Sequence, residues 1–158
     1  MNAFSLNSAA LNCLRQVAEF TPEYEGSDVP AAVREPVERL LAEYPRLARH
    51  ADYVEFLRST GGAHFDNDIW SFGIYGFGGY VVPSFEERLF VDKERFFLFG
   101  EILYYANDAE VFLFFDLPGN DETVWFCRSP GAGYRVCAAS FRDLLRKICE
   151  GLYPGVDE

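Results

Sequence analysis

The segment that decides the fold runs from Phe96 to Cys127 and reads FFLFGEILYYANDAEVFLFFDLPGNDETVWFC. Aromatic and aliphatic runs of this kind are typical of strands in the middle of a sheet. Carboxylates interrupt the runs where strands are expected to end, and the segment contains no lysine or arginine. These carboxylates are Glu101, Asp108, Glu110, Asp116, Asp121 and Glu122. The segment therefore predicts a buried sheet with an acidic rim.

Turn residues divide the C-terminal half into short apolar runs. We predict successive strands at residues 96–99, 102–106, 111–115, 123–127 and 134–138. The connections contain Asn107-Asp108, Pro118-Gly119 and Pro130-Gly131, which favour tight turns. Short connections require antiparallel pairing, so these strands should form a meander. Looser patterns predict earlier strands at residues 69–75 and 80–82, and a short charged helix at 84–94.

Helical periodicity dominates the N-terminal part of the chain. We predict a first helix at residues 8–19 and a polar loop at 21–30. A second helix should have Val33 on its apolar face and Pro36 in its first turn. Pro45 should break it, and a third helix should carry Leu47 inward and end at Gly61-Gly62.

The last helix has the clearest signals. Ser140 and Asp143 resemble a capping box, and Leu152 continues an apolar face that begins at Phe141. The order of helices, then strands, then one helix is typical of an α+β domain. We therefore expect N-terminal helices and a C-terminal helix packed on a mostly antiparallel sheet.

Charge limits the classes of partner. The chain carries a formal net charge of −11, with −5 in residues 1–79 and −6 in residues 80–158, so no acidic tail accounts for it. Such a field repels nucleic acids and anionic membranes and attracts cationic proteins. Acidity also keeps cytosolic proteins soluble, and solubility alone is an alternative explanation of the net charge.

Four cysteines are present, and none forms a C-x-x-C pair. Cys127 and Cys137 are equidistant from Ala132, so a symmetric hairpin would set them side by side. They could form a disulfide, although buried thiols are expected in a reducing cytosol. The N-terminal sequence has no signal-peptide pattern and no apolar run is long enough to span a bilayer, which predicts a cytoplasmic protein.

Catalytic and cofactor motifs are weak in this sequence. Gly73, Gly76, Gly78 and Gly79 do not match G-x-G-x-x-G, so we predict bends or bulges in place of a phosphate loop. No G-x-S-x-G motif is present. A carboxylate pair such as Asp116 with Glu122 could do acid–base chemistry, but acids beside a turn are usually solvated. We predict no catalytic residue and no cofactor.

The best metal candidate is the segment at residues 64–68. His64, Asp66 and Asp68 would share a face if the segment were extended. A calcium loop needs more oxygen ligands, and a zinc site would want another nitrogen or sulfur ligand. We therefore interpret the segment as a solvated polar loop and predict no metal.

Several short motifs resemble the SUKH superfamily, which includes fungal cell-wall synthesis regulators and many bacterial immunity proteins. Residues 53–62, YVEFLRSTGG, resemble its helix and terminal Gly-Gly signature. Residues 97–100, 111–116 and 123–126 resemble its central strands, and ASFRDLL at 139–145 resembles its closing helix. The resemblance covers residues 45–150, which leaves residues 1–44 as an N-terminal helical extension of a single domain spanning residues 1–158.

The resemblance implies an α+β fold with a mixed, curved sheet and a non-catalytic, protein-binding role. Bacterial members are associated with neutralising a toxin, often a nuclease. We therefore expect a cognate basic toxin domain as the partner. A regulatory or scaffold module for an endogenous partner, and a small-molecule-binding or hydrolytic domain, are the alternatives.

The predicted contact residues follow from the charge pattern. Tyr104, Tyr105 and Trp125 are candidate anchors, because interface energy concentrates in such side chains. The carboxylates expected to contact the partner are Asp108, Glu110, Asp116, Asp121 and Glu122, followed by Asp66 and Asp68.

Overall fold

A computed structural model describes residues 9–24, 31–77, 95–119, 121–128 and 133–155. The helices are α1 (Ala9–Val17), α2 (Ala31–Glu43), α3 (Ala51–Thr60) and α4 (Phe141–Cys149), and a 3₁₀ turn spans Pro45–Arg49. The strands are β1 (Glu19–Pro22), β2 (Ala63–Asp66), β3 (Trp70–Ile74), β4 (Phe96–Tyr104), β5 (Ala109–Asp116), β6 (Val124–Cys127) and β7 (Arg135–Ala138). The predicted strand at 80–82 and helix at 84–94, with Gly78 and Gly79, lie outside the described residues.

The seven strands form one sheet in chain order, β1 to β7, and each neighbouring pair is antiparallel. The α+β class and the predicted meander are thereby confirmed. The helices cover one face of the sheet, which we call the inner face, and α1 packs against α4. No helix in the described ranges is both long and apolar enough to cross a bilayer.

Three strand predictions were wrong in detail. Residues 21–22, expected at the start of a loop, belong to strand β1. Residues 64–66, expected in a polar loop, belong to strand β2, whose side chains alternate between buried and half-buried. The strands expected at 96–99 and 102–106 are one strand, β4, with a bulge between Leu98 and Gly100. The bulge inserts Phe99 without a partner and shifts the alternation by one residue, so Phe97 and Phe99 before the shift and Ile102 and Tyr104 after it all face the core.

Helix boundaries also differ from expectation. Pro36 lies inside α2 and not in its first turn, because the helix already begins at Ala31. Leu47 is buried, but it belongs to the 3₁₀ turn that Pro45 begins. α4 ends at Cys149, so Leu152 lies beyond it and is exposed. The predicted cap is confirmed, since Ser140 Oγ accepts a hydrogen bond from the Asp143 amide at 3.0 Å.

An aromatic cluster joins α3 and α4 to the sheet. The Tyr53 ring on α3 is fully buried and lies 5.5 Å from Phe99, 4.9 Å from Phe115 and 5.6 Å from Phe141. Phe99 stacks on Phe115 with ring centroids 4.2 Å apart. Each buried aromatic ring contributes about 2–3 kcal/mol of transfer free energy, so this cluster fixes how the helices sit on the inner face.

The cysteines agree with the prediction in one respect and differ in another, because Cys127 and Cys137 are free thiols as expected but do not lie side by side. β6 and β7 place Phe126 opposite Arg135 and Trp125 opposite Val136, so Cys127 and Cys137 are not cross-strand neighbours, and both are free thiols. A disulfide instead joins Cys13 on α1 to Cys149 at the end of α4, with the Cα atoms 6.1 Å apart. The bond ties the two ends of the described chain together.

The Gly61-Gly62 pair ends α3 because only glycine fits there. Gly61 adopts the left-handed conformation (φ 73°), and its amide donates to the Leu57 carbonyl. Its own carbonyl lies against Gly76, where an added Cβ would be 1.8 Å from the Gly61 oxygen. The backbone of residues 61–62 therefore packs directly on the chain after β3, and three glycines make this approach possible.

Replacing Gly76 with alanine should destabilise the fold by roughly 2 kcal/mol or more, because the new methyl group meets backbone atoms that cannot move independently. Urea unfolding monitored by fluorescence measures the loss. Gly119→Ala is the control, since its nearest contact would be 3.2 Å away in a turn, and we expect a clearly smaller loss. Equal stability of the two variants would contradict the close approach.

Candidate partner-binding surface

One row of residues crosses five strands on the outer face, the face of the sheet opposite the helices. Strand register places Glu19 opposite Asp66, Asp66 opposite Ser71, Ser71 opposite Leu103, and Leu103 opposite Glu110. Neighbouring strands are about 4.8 Å apart, so the row spans about 19 Å. The row contains the carboxylates of Glu19, Asp66 and Glu110. It lies at the end of the sheet that has the β2–β3 turn and the β4–β5 turn.

The two turns at this end are tied to each other. The Tyr105 amide donates to the Ile69 carbonyl at 3.0 Å, and the Tyr105 hydroxyl donates to Asp66 at 2.6 Å. Within the first turn, Asn67 Oδ1 accepts the amides of Ile69 and Trp70, and its Nδ2 donates to the Val17 carbonyl at the end of α1. Both turns and the end of α1 thus form one hydrogen-bonded unit.

Two further acids stand on these turns. Asp68 is exposed in the β2–β3 turn, and Asp108 is exposed in the β4–β5 turn at φ 55°, a conformation that aspartate tolerates better than most residues. Exposed apolar side chains lie among them, since Ile69 is 54% and Tyr105 44% exposed. We call this set the acidic surface: Glu19, Asp66, Asp68, Asp108 and Glu110, with Ile69 and Tyr105.

The charges of the acidic surface are not neutralised from within the described part of the chain. None of the ion pairs between described residues includes one of its five carboxylates. Hydrogen bonding to Asp66 raises the pKa of the Tyr105 hydroxyl, which keeps that hydroxyl a donor at neutral pH. The surface therefore combines negative charge with an aliphatic and an aromatic side chain.

The remaining predicted acids lie at the other end of the sheet. Asp116 ends β5, six residues from Glu110, which corresponds to about 20 Å along the strand. Its carboxylate faces Arg95 at 3.8 Å and is mostly buried. Asp121 and Glu122 are exposed nearby. The structure thus divides the predicted rim and brings together Asp66, Asp68, Asp108 and Glu110 but not Asp116, Asp121 and Glu122.

This second end is electrostatically mixed. The Asp121 carboxylate accepts the Thr123 amide, which lowers its pKa, and the positive charge of Arg49 acts in the same direction. His50 is 2% exposed and stacks on Phe115 at 3.9 Å. Burial, assisted by the charge of Arg49, lowers the pKa of His50 to about 4, so the ring is neutral at physiological pH. At this end of the sheet the positive charges of Arg95 and Arg49 offset the negative charges of Asp116 and Asp121.

The predicted aromatic anchors also separate. Tyr104 is buried on the inner face, where its hydroxyl donates to the Pro154 carbonyl at 2.6 Å. Trp125 is half-buried on the outer face beside Phe96, away from the acidic surface. Only Tyr105 stands at the acidic surface with a largely accessible ring.

Two of the three residues weighed as metal ligands, His64 and Asp66, make other contacts. His64 Nε2 lies 2.5 Å from Ser71 Oγ across the β2–β3 pair, and Asp66 accepts the Tyr105 hydroxyl. Among the residues that the structure describes, no group of three or more potential ligands is arranged to hold a metal ion.

A carboxyl pair adjoins the acidic surface. Glu101 lies one row further into the outer face, opposite Gly73 and Phe112, and is diagonal to Glu110 across β4 and β5. Burial, together with the hydrogen bond and the charge of Glu110, raises the pKa of Glu101 to about 8. Glu101 is therefore largely protonated at neutral pH, and its carboxyl group can donate a hydrogen bond to Glu110.

Two members of the acidic surface escaped the sequence analysis. Glu19 joins it only because β1 pairs with β2, and a four-residue strand at a helix end gives little periodic signal. The sequence predicts Ile69 at the start of a strand, but Asn67 accepts its amide in a turn, so Ile69 lies outside the strand and is exposed. The Asn-Asp pair at 67–68 was a turn signal that could have indicated this.

Comparisons with known proteins identify no relative. No family model matches the chain, no curated protein matches it, and no solved structure matches its fold.

Replacing Glu101 with glutamine should make stability less dependent on pH. In the unfolded chain this carboxyl ionises near pH 4.5, and in the fold near pH 8, so the fold binds more protons between these values and wild-type stability falls as pH rises. Glutamine cannot ionise, so the variant should gain roughly 2 kcal/mol relative to wild type from pH 5 to pH 8.5, after allowance for solvent screening.

Urea unfolding at several pH values measures this difference. Glu122→Gln, which removes an exposed carboxylate at the other end of the sheet, is the matched control. The same pH trend in both variants would show that the effect is one of net charge and would contradict a raised pKa of Glu101.

Proposed function

We propose that this chain is a non-catalytic protein-binding domain that docks a basic partner on the acidic surface. The observation that carries the proposal is the meeting of five carboxylates without internal ion pairs around the exposed side chains of Ile69 and Tyr105. Interfaces commonly place an aromatic or aliphatic anchor within a charged or polar rim. A row about 19 Å wide is enough for such a contact.

Electrostatics supports a cationic partner. The net charge of −11 draws positively charged proteins toward the molecule, and local carboxylates orient them during encounter. The far end of the sheet is less suited to this role, because Arg95 and Arg49 lie close to Asp116 and Asp121. We therefore assign the contact to Asp66, Asp68, Asp108 and Glu110, joined by Glu19, and not to Asp116, Asp121 or Glu122.

The biological form of the proposal rests on the sequence resemblance. A SUKH-type immunity protein would bind a toxin domain of the same genome and block it, and a basic nuclease would be attracted by this surface. In this proposal the protein acts in the cytoplasm, where such a toxin would be harmful. Stable disulfides are rare in that compartment, so the Cys13–Cys149 bond is unusual for a cytoplasmic protein.

One observation favours an alternative. The carboxyl group of Glu101 stays protonated near neutral pH beside Glu110, and acid–base enzymes use such pairs. A hydrolytic domain would also need a substrate cleft at that pair. Three cavities of 390 to 510 Å³ among the described residues have neither Glu101 nor Glu110 in their lining, so we place this alternative second.

Co-expression with the product of the neighbouring gene tests the function directly. The immunity reading predicts that the chain restores growth to cells that express that product and that the two proteins co-purify at a fixed ratio. Toxicity without rescue, together with no complex in size-exclusion chromatography, would contradict it.

Two double variants, each of which removes two charges at one end of the sheet, test the contact surface. Asp68→Asn with Asp108→Asn keeps the side-chain shapes, and asparagine tolerates the backbone of residue 108. The association rate with the co-purified partner at low salt should fall about tenfold, with a smaller change at high salt.

The matched control is Asp121→Asn with Glu122→Gln, which changes net charge equally at the opposite end. We expect it to slow association less than twofold. Equal slowing by both variants would show that total charge alone steers the encounter and would remove the assignment to the acidic surface.

A further inference from the structure

A disulfide connects α1, the helix that leads into the acidic surface, to the last residue of α4. α1 is nine residues long, and helices of that length are marginal in isolation. It is held by the buried side chains of Leu11 and Leu14 and by the Cys13–Cys149 bond to α4. Because the two cysteines are 136 residues apart in sequence, the bond restricts the unfolded or opened chain strongly.

α1 leads directly into the acidic surface. Its last carbonyl, that of Val17, accepts the Asn67 side chain of the β2–β3 turn at 3.0 Å. Two residues later, Glu19 begins β1 and pairs with Asp66. Any loosening of α1 therefore acts on β1, on Glu19 and on the turn that carries Asp68.

The disulfide is open to attack. Both Cys13 and Cys149 are partly exposed. Cys13 also lines a cavity of about 390 Å³ between α1 and α4, with Ala9, Ala10 and Ser140 in its wall and Arg142 and Arg146 beside them. A cavity of this volume is within the range that admits a small ligand or the side chain of a reducing protein.

We infer that the Cys13–Cys149 bond is a thiol-exchangeable latch, which holds α1 and β1 in the arrangement that the acidic surface needs for partner binding. This inference rests on the proposed function, because cytoplasmic disulfides are usually transient or redox-sensing. The latch is closed in the oxidised protein. In the reduced protein α1 and β1 open more often, and binding weakens.

The exchange reaction needs a dithiol as reductant. One thiolate of the dithiol attacks Sγ of Cys13, which forms a mixed disulfide and releases Cys149 as a thiolate that takes up a proton. The second thiolate of the reductant then attacks the reductant sulfur atom of the mixed disulfide. This step releases Cys13 as a thiolate, which takes up a proton and becomes the second thiol. Two electrons pass to the protein, and the dithiol ends as a disulfide.

Thiol counting and hydrogen exchange test the latch without any partner. Protein denatured without reductant should expose two alkylatable cysteines by mass spectrometry, and four after treatment of the native protein with millimolar dithiothreitol. Amide exchange in residues 11–22 should become at least tenfold faster after reduction, while exchange in β4 and β5 stays unchanged. Four free thiols before reduction, a bond that resists the native treatment, or unchanged exchange in residues 11–22 would each overturn the inference.

Two variants provide matched controls. Cys13→Ser with Cys149→Ser should show the fast exchange of the reduced protein and lose all response to dithiothreitol. Cys127→Ser with Cys137→Ser removes the two thiols that are not bonded and should respond to reductant as wild type does. If this second variant alone lost the response, the latch would be assigned to the wrong pair.

Binding measurements separate the two proposals. With the product of the neighbouring gene as the binding partner, reduction should weaken the affinity about tenfold or more, and Cys13→Ser with Cys149→Ser should reproduce the loss under oxidising conditions. Equal affinity of oxidised and reduced protein would overturn the latch and leave the acidic surface intact. Failure of oxidised and reduced protein alike to bind would contradict the proposed function, while the exchange result would still decide whether the latch exists.

Discussion

The pairing of β3 with β4 is the constraint on which the acidic surface depends. Trp70 lies opposite Tyr104, both side chains are buried on the inner face, and both contact the Tyr153 ring near the C-terminus. A slip of β3 by one residue would bring the Trp70 ring to the outer face and bury Ser71 in its place. The cost of that exchange fixes the register. With the register fixed, the Tyr105 amide meets the Ile69 carbonyl, and two acidic turns come together.

The two faces of the sheet differ in composition and in what they contribute to the molecule. The inner face buries Tyr53, Phe99 and Phe115 against the helices and supplies most of the stabilising free energy. The outer face holds a second apolar cluster near Phe96 and Phe114 and becomes acidic toward the turns. Charge at the acidic surface can accumulate because the core beneath it does not rely on ion pairs. Its unneutralised carboxylates repel one another, and a cationic partner would relieve that repulsion.

Much of the fold could be predicted from the sequence, because local signals agreed with tertiary structure. Glycine at 61–62, the cap at Ser140 and the alternation around β5 each require a particular backbone, and the structure has it. The failures have physical causes. β1 and β2 are short and acquire strand structure only through pairing with their neighbours, and the bulge at Phe99 breaks the alternation that would have shown β4 as one strand. The hairpin symmetry that suggested Cys127 beside Cys137 fails because the actual register sets Trp125 opposite Val136 and Phe126 opposite Arg135, and is not centred on Ala132.

The candidate surface was predictable in composition but not in arrangement. Acids at the ends of strands were evident, yet which end each one occupies depends on the direction of its strand, and Asp108 and Asp116 therefore lie at opposite ends of β5. The most direct measurement of the central claim is an NMR titration of the backbone amides with a hexa-arginine peptide. The account predicts shifts concentrated at residues 66–69 and 105–110, and small ones at residues 116–122. Shifts spread evenly over all exposed carboxylates, or concentrated at residues 116–122, would contradict it.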